Sequence, residues 1–122
     1  MLSNHRQFEA GPDPFGHKWK VRFLWQQNGI SIRHADTVDC KFVVDSGQGE
    51  SERVIALPHP LLLELCRRTG EPVSDALCMK LSAEHLRRII ETGEDIEKVL
   101  VTLSLADLEA AHQAIGTAAA AH

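Results

Sequence analysis

The sequence predicts an α+β domain in which an N-terminal antiparallel sheet of about four strands packs against three or four C-terminal helices. Three observations carry this expectation: apolar and polar residues alternate from Lys18 onward, the period changes at Pro58-His59-Pro60, and helical spacing runs through most of the second half. The chain has 122 residues, 43% of them apolar, which is material for one core. That core is expected within residues 18–116. Residues 1–17, with Gly11, Pro12, Pro14 and Gly16 and no period, are expected to be a loosely ordered arm, and residues 117–122 a frayed tail.

In KWKVRFLWQ, residues Trp19, Val21, Phe23 and Trp25 alternate with Lys18, Lys20, Arg22, Leu24 and Gln26, the period of a strand with one buried face. Asn28-Gly29 follows as a two-residue hairpin signal. Such a turn pairs Gln27 with Ile30, Trp25 with Ile32 and Phe23 with His34, all on the buried face from Trp25 outward. TVDCKFVVD supplies a third strand, with Val38, Cys40, Phe42 and Val44 on one side. After the flexible SGQGES, ERVIAL supplies a fourth.

Pro60 suits the start of a helix and Gly70 the position just past its end. A second helix is expected over 74–92, stopped by Gly93, with an apolar stripe that His85 interrupts. GEDIE opens a further helical turn with Ile96, Val99, Leu100 and Leu103 on one side, although the β-branched run VLVTL makes a strand over 98–103 the alternative. Ser104 and Asp107 form a capping-box pattern, which places a last helix over 105–115, ended by Gly116.

Two histidines and two cysteines form a near mirror: His59 before Cys66, and Cys78 before His85. One tetrahedral zinc ion needs its ligand atoms within roughly 4 Å of each other. Positions seven apart on a helix are separated by roughly 10 Å along the axis. If the two helices pack as an antiparallel hairpin, the residues separate into two pairs, so no metal and no cofactor is expected. The cysteines read as small apolar core residues, and a Cys66 to Cys78 bridge stays open.

The strongest ligand-binding candidate in the sequence is His34. Its predicted register sets it beside Phe23 and Trp25, with Asp36 close in sequence and His17 as a further member. No nucleophile at a recognisable spacing accompanies them. The row Lys18, Lys20, Arg22 and Arg33 lies on the predicted outer face, away from the aromatics, and reads as a solvated surface. The stretch LCRRTGEPVSDALCMKLSAEHLRRIIETGE resembles the repressor-type helix-turn-helix in its Gly, its Ser-ended turn and its closing Glu-x-Gly. Its turn lacks the expected Gly and small apolar residue, however, and its five basic and five acidic side chains from Leu61 to Gly93 cancel.

A formal charge of −4 and the lack of a long apolar run argue against nucleic acid or membrane as partners. Three cysteines without paired spacing fit reduced thiols in the cytoplasm. The expectation is a cytosolic, non-catalytic binding or scaffold module that self-associates as a homodimer through a strand edge and an apolar helical half. Two alternatives stand beside it: a small enzyme or small-molecule binder around His34, and a DNA-binding regulator.

Overall fold

Strand β1, Gln7–Ala10, opens a meander that continues through β2, Trp19–Gly29, β3, Thr37–Asp45, and β4, Glu50–Pro58. Helices α1, His59–Thr69, and α2, Asp75–Thr92, follow, then β5, Leu100–Thr102, and α3, Leu105–Ala120. The structure is a computed structural model, and residues 5–29 and 36–120 are described. The five strands form one mixed sheet in the order β1-β2-β3-β4-β5, antiparallel except for β5, which runs parallel to β4. The α+β expectation holds, with one strand more than expected. Among the described residues, no helix is long and apolar enough to cross a membrane.

The helices cover one face. Val21, Cys40, Phe42, Val44, Ile55, Leu57 and Val101 point from the strands into a single core shared with Leu62, Leu65, Leu81, Leu86, Ile90 and Leu108 of the helices. α2 lies across this face and touches β1 through β4. The expected α1–α2 hairpin is not the dominant helix contact, because α3 packs against both α1 and α2. Cys66 and Cys78 are free and buried. The neighbour of Cys78 is Cys40, whose Sγ lies 3.8 Å from the Cys78 carbonyl oxygen. Burial pushes the Cys40 thiol up to about 11 and the Cys78 thiol up to about 12.

Local chemistry sets the helix ends where the sequence suggests. Gly70 is left-handed and its N–H donates to the Cys66 carbonyl. Ser74 Oγ accepts from Leu77 N at the start of α2. Ser104 and Asp107 form the reciprocal capping box, at 3.1 and 3.0 Å. α3 then continues through Gly116, past the expected stop. The ambiguous VLVTL run contributes a strand rather than a helical turn, because Val101 pairs with Ile55 at the sheet edge.

Two expectations for the first half are corrected. The segment read as a loose arm contains β1, whose Phe8 and Ala10 are buried against α2 and β2. Asp13 then organises the following loop, accepting from Phe15 N, His17 N and Trp19 Nε1, all at 2.9 Å. The Trp19 hydrogen bond foremost holds the Asp13 carboxyl below the usual carboxylate range. The loop docks on the end of α2: Gly93 has φ 75°, and a Cβ there would lie 2.8 Å from Pro14 Cγ.

The second correction concerns register. Asn28 and Gly29 are strand residues, paired with Val38 and Thr37. β2 runs to Gly29 and pairs with β3, so that Gln27 faces Asp39, Trp25 faces Lys41 and Phe23 faces Phe42. The predicted second strand, with Ile32, Arg33 and His34, lies outside the described residues. β3 takes the place along β2 that the hairpin assigned to it.

Candidate functional site

A β-bulge decides which side chains reach the surface. Between Phe23 and Trp25 the ladder slips by one residue, leaving Leu24 without a partner on β3. Before the bulge the inner face takes Trp19, Val21 and Phe23; after it, the inner face takes Gln26, opposite Cys40. Trp25 is thereby turned outward. The expectation that Phe23 and Trp25 share the covered face is corrected by this one unpaired residue.

The outer face carries no described helix. Across it runs a row of neighbours: Trp25 on β2, Lys41 on β3, Val54 on β4 and Leu100 on β5. Trp25 is 38% exposed and Leu100 57%. Lys41 Nζ lies 5.3 Å from the centre of the Trp25 ring and 2.7 Å from Glu52 Oε1. A cation over an indole contributes about 0.5–1 kcal/mol at such exposed positions, enough to favour one ring orientation about two- to fivefold. Toward the other end of the strands, the row Gln7, Arg22, Val43, Glu52 crosses the same face, followed by Glu9, Lys20, Asp45 and Glu50.

Of the residues that the sequence nominated, those that are described do not gather. His34 lies outside the described residues. Asp36 is exposed just before β3, where its carbonyl oxygen accepts from His59 N at 2.8 Å. His17 lies before β2, its Nδ1 3.8 Å from Asp13 Oδ2. Asp36 and His17 are therefore at opposite ends of the sheet, separated by roughly 30 Å of strand at ~3.3 Å per residue. Phe23 is on the covered face, edge-on to Phe42 with ring centres 5.5 Å apart.

A second concave feature lies at the end of α2. It holds about 170 Å³ and is lined by His85, Arg88, Asp95, Thr102 and Asp107, among others. Three of its polar groups are already engaged: Asp107 caps Ser104, Asp95 pairs with Lys98 at 3.0 Å, and Thr92 donates to the Arg88 carbonyl. His85 differs. It is 8% exposed, and among the described residues its Nδ1 has no hydrogen-bond partner. Among the described residues lining the cleft there is no Cys or Ser beside this imidazole. Among the described residues, no three His, Cys, Asp or Glu side chains are placed to hold a metal ion.

Burial, opposed chiefly by Asp107, holds the His85 pKa below its ordinary 6.5. The unfolded chain then binds a proton more readily than the folded one. Stability present above pH 6.5 is lost as the pH falls through that value toward the folded pKa. The slope reaches at most ~1.4 kcal/mol per pH unit. His85→Leu should remove this component, so the stability difference between wild type and variant, measured by urea unfolding from pH 5 to 8, should slope below pH 6.5 and be flat above it. A flat difference throughout would mean that His85 is protonated as readily in the fold as outside it.

No family model matches the chain, and no curated protein or solved structure does so.

Proposed function

We propose that the chain is a non-catalytic binding module whose contact surface is the outer face of the sheet. The observation that carries this reading is the asymmetry of the fold. All three helices lie on one side, and on the other a Trp, a Val and a Leu flank a lysine across four strands. An outward aromatic held by a cation is the kind of residue on which interfaces concentrate their binding energy. Both edge strands are short, of four and three residues, so the face offers more contact than an edge.

The alternatives draw less support. A ligand site joining Asp36 to His17 would have to span the sheet, since these two lie at its opposite ends. A DNA-reading role for α2 draws little from its exposed side, where Asp75, Lys80, Arg88 and Glu91 carry charges of both signs.

The test replaces Leu100, on the outer face, with a photo-crosslinking amino acid, and separately Leu63, an exposed residue of α1. In cells expressing the full chain, position 100 should give crosslinked species several-fold above position 63. Equal yields, or none from position 100, would overturn the reading.

A further inference from the structure

We infer that the partner of the outer face is a second copy of this chain, packed face to face about a two-fold axis that runs along β3. This rests on the reading of that face as the contact surface. Its own support is the order of charges across the strands. A rotation of 180° about β3 lays β2 of one copy over β4 of the other and keeps each row of residues on the same level. Arg22 then meets Glu52, Lys20 meets Glu50, Trp25 meets Val54, and Val43 meets its own counterpart.

Each of these meetings is complementary. Among the described residues Arg22 is flanked across the ladder by Gln7 and Val43 and makes no ion pair, and neither Lys20 nor Glu50 makes one. Lys41, Asp39 and Asp45 fall on the axis, where each would meet its own kind. All three are already engaged: Lys41 is drawn toward Glu52 and Trp25, Asp39 Oδ1 accepts from Thr37 Oγ1 at 2.9 Å, and Asp45 Oδ1 accepts from Gly47 N at 2.8 Å. Sheets that pack in this way keep their strand directions within about 30° of each other, and a rotation about a strand preserves that direction.

The area is sufficient. Three strands at roughly 4.8 Å spacing and about 30 Å in length offer about 430 Å² per copy, which the short β1 and β5 raise to about 540 Å², or about 1,100 Å² for the pair, where specific association begins. Such an interface, with charges on and beside its axis, should be micromolar and weaken with salt.

Light scattering on the full chain at about 100 µM should report twice its 13.5 kDa mass. Arg22→Glu alone and Glu52→Arg alone should each weaken association at least tenfold, because each copy then presents like charges to its twin. An equimolar mixture of the two variants should dimerise again, since the carboxylate introduced at position 22 of one copy meets the guanidinium introduced at position 52 of the other. Lys20→Glu mixed with Glu50→Lys provides the same test without touching the Glu52 to Lys41 pair, and circular dichroism checks that every variant folds. A monomer at all concentrations, a dimer indifferent to these substitutions, or a mixture that fails to re-associate would overturn the inference. A monomeric chain that still crosslinks from position 100 to another protein would overturn self-docking and leave the outer face as the binding surface.

Discussion

Phe42→Ala is expected to lower the free energy of unfolding by about 3–5 kcal/mol, the range for deleting a buried aromatic ring. Phe42 is fully buried at the middle of β3, directly opposite Phe23, and the rings meet at 67°. An edge-to-face pair adds about 0.5–1.5 kcal/mol beyond burial. A domain of this size has about 5–15 kcal/mol in total, so the variant should lie near the limit of folding. Urea unfolding followed by far-ultraviolet circular dichroism checks it, with Phe42→Leu as a milder companion. A loss under ~1 kcal/mol would place the centre of the core elsewhere.

A pair of deletions should differ still more sharply. Leu24 has no partner on β3, so its removal should leave a regular ladder with Phe23 still inward and Trp25 still outward. The deletion variant should unfold cooperatively within a few degrees of the wild-type midpoint. Deleting Val43 should abolish the cooperative transition. β3 is paired with β4 without a slip and with β2 across the one bulge, so losing one of its own residues turns Val44 or Phe42 to the wrong face together with everything beyond it. Thermal melts of the two variants separate these outcomes, and equal melts would mean that the slip lies elsewhere in β2.

The two halves of the fold were unequally legible. β3, β4 and all three helix starts follow from rules that act within a few residues: alternation, Pro60, and the Ser74 and Ser104 caps. The register of β2 does not, because Asn28-Gly29 is a local preference and the pairing with β3 is decided by burial of Cys40, Phe42 and Val44 beneath α2. A trace of the bulge was present. Phe23-Leu24-Trp25 is three apolar residues in a row within an alternating strand, which no single face can absorb. β1 was hidden by brevity, since two buried residues in four do not make a period.

The outer face was illegible for the same reason. Its aromatic member was assigned inward, so Lys20 and Arg22 read as a solvated row with nothing apolar beside them. Only the slip at Leu24 joins Trp25 to them. The His85 environment had a signal, an imidazole inside an apolar stripe, but its unpartnered Nδ1 depends on β5 and on the cap of α3. Those elements arrive at it from 15 or more residues away.

The lengths of the strands carry one more consequence. β1 covers β2 only from Trp19 to Arg22, and β5 covers β4 only from Val54 to Ala56. The stretch of β2 from Leu24 to Gly29 therefore keeps an edge with no ladder partner on the β1 side among the described residues, and a recruit extending the sheet sideways would start there.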